Sequence, residues 1–339
     1  MPKDLSATFV MLKQLMLTGL LSCMLALPAL ATERMTTAEN TVQPRLVYIT
    51  SDTRIPFWDI MARGIRRQAH ELGYGIDIYS AHNDARRELE LIADAIKQKA
   101  EGLIISPTNS SAAATLIKLA DRAGIPVVIA DIGADSDGYI SYISSDNYTG
   151  AYRIGQVLTH ALEVRGWQQG RVGIIAIPQK RLNGQARTAG FMKALDEAGI
   201  HNAAMRQQVD FSHDETYRFS RELIESIPDL RALWLQGSDR YQAALDAIAD
   251  TGRRGEILLV TFDAEPEFLQ LIPSGVLVGA AMQQPFLMGE QAVKNLHQHL
   301  QGLTVEHEQK LPVLAISADN LDDNLKTIRR NVLGQEATP

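Results

Sequence analysis

From Leu46 onward the chain repeats one local pattern: a short apolar run, a polar turn, then a longer segment whose apolar residues recur every three or four positions. In the first copy Leu46-Val47-Tyr48-Ile49 is the apolar run and Thr50 to Arg54 the polar stretch. Trp58, Met61, Ile65, Ala69 and Leu72 then fall on one face of a helix that ends at Gly73. Further apolar runs follow at 76–79, 102–107, 125–131 and 139–143, with helical segments at 86–99 and through 116–123 between them. Strand and helix alternate at a step of roughly 25 residues, the pattern of right-handed βαβ units building a parallel sheet. Most of the runs are apolar throughout, as strands covered on both faces must be.

Ser144-Ser145-Asp146-Asn147 interrupts the series, and a second one follows. Its strands are expected at 172–177, 205–209, 232–235, 257–262 and 276–281, and its helices at 149–164, 186–198, 214–226, 239–251 and 264–272. Two similar halves in one chain imply two α/β lobes with a cleft between them. The regular order then breaks: 285–301 reads as one more helix, 311–316 as a last strand, and the tail beyond Asn320 as weakly helical, either docked or mobile.

The 339 residues, 45% of them hydrophobic, suffice for two domains of ordinary size. The first 31 stand apart. Lys13, an apolar stretch over 15–30 and Ala29-Leu30-Ala31 describe a secretory signal cleaved after Ala31, and Pro28 and the short length argue against a membrane-spanning helix. Met11 makes a compact alternative start. Leu20-Leu21-Ser22-Cys23 has the look of a lipoprotein box, but the apolar run continues past Cys23. Cys23 is the only cysteine, so the exported chain holds no disulfide and depends on its core. The net charge is −7, and removing a segment that carries Lys3, Lys13 and Asp4 makes it one unit more negative. That balance argues against nucleic acid or an anionic membrane as partner.

No catalytic motif stands out. No G-x-S-x-G, P-loop or G-x-G-x-x-G follows a strand, and His297 and His299, two apart on a helix, do not face each other as metal ligands would. Neither enzyme chemistry nor a cofactor nor a metal is expected. Instead, polar or aromatic residues stand at the ends of successive strands, where open α/β sheets bind ligands. They are Ser51, Ser106, Asp131, Arg187, Phe211, Ser238, Asp239, Asp263 and Gln283, together with Phe57 and Trp58 at the first loop-to-helix junction. Carboxylates and an arginine suit hydroxyl groups, each both donor and acceptor, while aromatic faces suit the C–H faces of the same ligand.

These residues, in this order, resemble the ribose-type periplasmic sugar-binding proteins of the type I periplasmic binding protein fold. The resemblance runs from about Leu46 to Asn320 through Ile55-Pro56-Phe57-Trp58, Gly102-Leu103-Ile104-Ile105-Ser106-Pro107-Thr108, Ser145-Asp146-Asn147, Thr261-Phe262-Asp263 and Met282-Gln283-Gln284-Pro285. It implies two Rossmann-like lobes with parallel sheets, a three-crossover hinge and a ligand cleft between the lobes. The N-terminal lobe would comprise 45–146 plus 284–311, the C-terminal lobe 147–283 plus 312–320, and 321–339 a tail. The same fold carries repressors with a helix-turn-helix ahead of the first strand, but a signal peptide stands there instead. The resemblance also implies stacking by Phe57, Trp58 and Phe211, and hydroxyl binding by Ser51, Ser106, Asp131, Arg187, Asp263 and Gln283.

Three departures bear on the ligand. Ile132 follows Asp131 where the family commonly has arginine, Gly237-Ser238 replaces an expected Asn-Asp pair with Asp239 displaced by one, and Ile55 replaces an asparagine. A pocket short of these polar groups is expected to take a smaller, less hydroxylated or partly apolar ligand than ribose or glucose. The implied partner is the permease of an ABC importer. The alternative is the periplasmic domain of a membrane histidine kinase that reads the same closure.

Overall fold

The computed structural model describes residues 43–200 and 203–335. The expected export signal and its cleavage site lie outside them, as do the last four residues of the tail. In the first lobe β1 (Arg45–Thr50), β2 (Gly75–Ser80), β3 (Gly102–Ser106), β4 (Val127–Ala130) and β5 (Ser141–Ser145) are joined by β11 (Glu308–Leu311), in the order β11-β5-β4-β3-β1-β2. In the second, β6 (Arg171–Ala176), β7 (Ala203–Gln207), β8 (Leu230–Leu235), β9 (Leu258–Phe262) and β10 (Gly279–Met282) are joined by β12 (Leu314–Ser317), in the order β12-β10-β9-β8-β6-β7. Every pairing is parallel except β10 with β12.

The helices are α1 (Pro56–Glu71), α2 (Ala85–Lys97), α3 (Ser110–Arg122), α4 (Asn147–Val164), α5 (Leu182–Glu197), α6 (His213–Ser226), α7 (Tyr241–Asp250), α8 (Phe268–Leu271), α9 (Pro285–Leu300) and α10 (Leu321–Thr327). They cover both faces of each sheet, which is why β3 and β4 are buried along their whole length. At the crossing of α1 and α9 both helices present glycine. A Cβ on Gly64 would run into the Phe286 carbonyl, and one on Gly289 into the Met61 carbonyl, so the backbones are in direct contact.

The chain passes between lobes three times: at Asp146 between β5 and α4, at Gln283-Gln284 between β10 and α9, and at Pro312-Val313 between β11 and β12. The third crossing corrects the sequence reading. The run 311–316 is not one strand but the end of β11 and the start of β12, because Pro312 has no N–H to continue a ladder. Two helix limits also differ: α5 begins at Leu182 instead of 186, and the segment 264–272 is helical only over Phe268–Leu271.

The tail is docked as far as it is described. Ile328, Val332 and Leu333 are buried in the core of the second lobe. From the first lobe, Arg63 of α1 donates to the carbonyls of Leu333 and Gly334 at 3.1 and 3.0 Å, and Glu290 of α9 pairs with Arg330 at 3.0 Å. The segment therefore lies across the hinge as a further tie between the lobes.

Candidate functional site

Four helices begin at the mouth of the cleft, α1 and α9 from the first lobe and α5 and α7 from the second. The start of α1 fixes the aromatic wall. Pro56 sits at its first position, where its lack of an N–H costs nothing, and Ile55 ahead of it is extended and supplies no side-chain cap. Phe57 and Trp58 then meet edge to face, ring centres 6.1 Å apart, and Trp58 sends its indole N–H to Asp131 Oδ2 at 3.3 Å.

Asp131 and Asp263 occupy equivalent places, each one residue beyond its strand, β4 and β9 respectively. Both have positive φ, +67° and +69°, a conformation that a side-chain-bearing residue adopts only when its surroundings hold it there. In each the backbone N–H is tied to the neighbouring strand, Asp131 to Ile143 and Asp263 to Ala281, which turns the carboxylates into the cleft. Burial pushes the Asp131 carboxyl up to about 6 against the pull of Arg187, and its Oδ1 is buried with no partner. Burial raises Asp263 too, opposed by Arg187 and by the amide of Gln283, which donates to Asp263 Oδ1.

Arg187, on the second turn of α5, is the centre of the second lobe's wall. Its Nε donates to Asn147 Oδ1 at 2.8 Å and its Nη1 to the Gln236 carbonyl at 2.7 Å, its guanidinium lies 3.9 Å from the centre of the Phe262 ring, and Asp263 stands 3.7 Å away. Burial lowers its pKa, with Asp263 and Asp131 holding it charged. Phe211, again at positive φ (+57°), completes this wall, and its carbonyl accepts Arg240 Nε at 2.8 Å.

One cavity collects Phe57, Trp58, Asp131, Arg187, Phe211, Asp239, Asp263 and Gln283 from the sequence-predicted set. Ser238 lines an adjoining cavity, where its hydroxyl donates to Glu265 at 2.8 Å. Ser51 and Ser106 are not brought to either. Both are fully buried, with the Ser51 hydroxyl donated to the carbonyls of Ser106 and Pro107 at 3.1 and 2.9 Å, and that of Ser106 bonded to Tyr48 at 3.0 Å. Their place at strand ends is right, but the α/β packing closes over them and they brace the loops beneath the site.

Arg181, Asn183 and Gln208 line the cavity without having been singled out by sequence. Arg181 matters most. It belongs to the second lobe, at the start of α5, yet it donates to the Thr108 carbonyl at 3.3 Å and to Asn83 Oδ1 at 3.2 Å in the first. Its guanidinium lies 5.8 Å from the Trp58 ring centre and 5.5 Å from that of Phe211, and burial lowers its pKa to about 10. It supplies from the opposite lobe a fork of donors like the one missing at Ile132, which is itself buried in the first core. The only signal in the sequence is a cation beside a helix start in the Lys180-Arg181-Leu182 turn, and nothing local distinguishes it from a solvated one. Beneath Thr108 lies Glu88 of α2, wholly buried, accepting from Thr108 N and Oγ1 at 2.9 and 3.0 Å.

The walls therefore offer two aromatic faces and a third across the gap, carboxylates held in place by their backbones, and two buried guanidiniums. Such a set can bind several hydroxyls at once and close around them. A ribose import binding protein of Haemophilus influenzae is 30% identical over 88% of this chain and 97% of its own. A D-apiose import binding protein of Paraburkholderia graminis is 26% identical over 84% and 90%. The same fold is seen in a carbohydrate transporter solute-binding protein of Agrobacterium radiobacter solved with D-arabinose, with a TM-score of 0.78 at 21% identity over 86% of this chain and 99% of that one. The model of the periplasmic binding protein domain matches residues 46–304, and the chain belongs to that family, resembling its ribose-type members.

Proposed function

We propose that the protein is an exported solute-binding protein that closes its lobes on a small polyhydroxy ligand, a sugar or polyol, and hands it to the permease of an ABC importer. The observation that carries the reading is the pair Asp131 and Asp263, presented at positive φ from equivalent positions of the two lobes with Arg187 between them. A carboxylate on each side, with a guanidinium that both hold charged, lets one ligand hydroxyl donate and another accept across the gap. That is the differential contact closure requires. Trp58 and Phe211 supply faces for the ligand's C–H groups. The relatives named for ribose and D-apiose make pentoses the first candidates.

In this reading 1–31 are the export signal, cleaved after Ala31, and the work is binding and release without bond-making. An acidic chain of net charge −7 has no use for nucleic acid as partner. A histidine kinase reading the same closure is the weaker alternative, since the tail as far as it is described is packed across the hinge and offers no free segment there among the described residues.

The test is thermal unfolding of the purified protein with pentoses, hexoses and polyols. A ligand at a hundredfold excess over its dissociation constant adds about 2.7 kcal/mol to stability. At least one sugar or polyol should raise the melting temperature, and the rise should vanish in Arg187→Ala. No rise with any of them, or one that survives both Arg187→Ala and Asp131→Ala, would overturn the reading.

A further inference from the structure

Beside the ligand cavity, and sharing Ile55, Phe57, Asp239, Asp263 and Gln283 with it, lies a second one, walled further by Pro56 and Ile60 of the first lobe, Val332 of the tail and Ser238 and Glu265 of the second lobe. It measures about 20 Å³, room for a single water-sized group. Its polar side chains share one character. Asp239, Asp263 and Glu265 are carboxylates, the Ser238 hydroxyl gives its proton to Glu265, and the amide N–H of Gln283 goes to Asp263. With its N–H given to Asp263, Gln283, a side chain 1% exposed that lines both cavities, keeps its Oε1 buried with no partner.

Charge is out of balance in the same direction. The two cavities are lined by four carboxylates, Asp131, Asp239, Asp263 and Glu265, against the guanidiniums of Arg181 and Arg187. Arg187 serves Asp263, and Arg240 reaches Asp239 at 3.0 Å from outside, but Glu265 has no ion pair among the described residues. Burial pushes Glu265 up to about 7, and Asp239 and Asp263 add to the rise. A water has two protons and a hydroxyl one to give these acceptors, and each turns lone pairs towards the rest, whereas an ammonium has three donors and no lone pair.

We propose that the ligand is an amino-substituted sugar or polyol whose ammonium group enters this compartment, between Glu265, Asp239 and Gln283, while its hydroxyls meet Asp131, Arg187 and Arg181. The inference rests on the cleft being a sugar-class site, and narrows it to a cationic member of that class. It also gives a role to Gly237-Ser238-Asp239, whose departure from the family pattern places Ser238 and Asp239 on this wall.

The experiment is isothermal titration of the purified protein with matched pairs at neutral pH: D-glucosamine and D-glucose, D-galactosamine and D-galactose, 1-amino-1-deoxy-D-sorbitol and D-sorbitol, and 2-amino-2-deoxy-D-ribose and D-ribose. At least one amino member should bind about tenfold or more tightly than its hydroxyl twin, in keeping with a charge-assisted bond in a buried site. In Glu265→Gln that preference should shrink to about threefold or less while affinity for the hydroxyl twin is kept; in Asp239→Asn, the second variant if Glu265→Gln fails to fold, affinity for both members falls because the residue also lines the ligand cavity, but the amine should lose more and the preference shrink likewise. Hydroxyl twins binding as tightly as their amines, or a preference untouched in both variants, would overturn the inference and leave the sugar reading standing. Binding of neither set would overturn both.

Discussion

Replacing Glu88 by glutamine should make the protein more stable at neutral and alkaline pH. The carboxyl is wholly buried and touches Thr108 through both oxygens, and burial raises it to about 7 from its ordinary value of 4.5, against the bonds from Thr108 and the pull of Arg181. Because the folded state holds the proton more tightly than the unfolded one, the contribution to stability is complete below pH 4.5 and is lost as pH rises towards 7. A shift of that size corresponds to about 3 kcal/mol. Glutamine has nearly the same shape, accepts from Thr108 N and donates to Thr108 Oγ1, and does not titrate. Guanidinium unfolding of the two proteins from pH 4 to 8 isolates this group, since every other titration cancels in the difference. The variant should equal the wild type near pH 4 and exceed it by up to about 3 kcal/mol near pH 8. A difference that stays flat, or a variant that loses ground as pH rises, would show that Glu88 is ionised and held by Thr108 and Arg181, and the burial argument would fail.

Two further outcomes follow from the ties between the lobes. Arg181→Met keeps the apolar contact with Trp58 and Phe211 but removes two charged donors to the first lobe, worth about 2 kcal/mol or a thirtyfold shift towards the open form. Small-angle scattering of the unliganded protein should show a larger radius of gyration, and an unchanged profile would deny Arg181 its bridging role. Arg330→Ala leaves the Glu290 carboxylate, 3% exposed, with Arg67 3.9 Å away as a weaker partner, and should cost about 3 kcal/mol in denaturant unfolding. Glu290→Met with Arg330→Met should recover most of that loss, and a single variant within about 0.5 kcal/mol of wild type would contradict the reasoning.

The local rhythm of the sequence decided most of the architecture. Leu46-Val47-Tyr48-Ile49 and the 3.6-residue face from Trp58 to Leu72 are short-range patterns, and the structure realises them as β1 and α1 because both must bury those residues against one core. The aromatics beside Pro56, and Asp131 and Asp263 at strand ends, were legible for the same reason: chain position puts them at the edge where a parallel sheet opens. Ser51 and Ser106 share that position, and only the packing of Tyr48, Met61 and Pro107 around them showed that their hydroxyls are spent inside. What tertiary structure alone decided is what crosses between elements distant in the chain. Arg181 meets Asn83 and Thr108 from the other lobe, Glu265 faces Gln283 across a strand end, and Arg330 reaches Glu290 over the hinge. A polar side chain carries no mark in its own neighbourhood of the partner it will meet, because that partner is set by how two separately folded sheets are brought face to face.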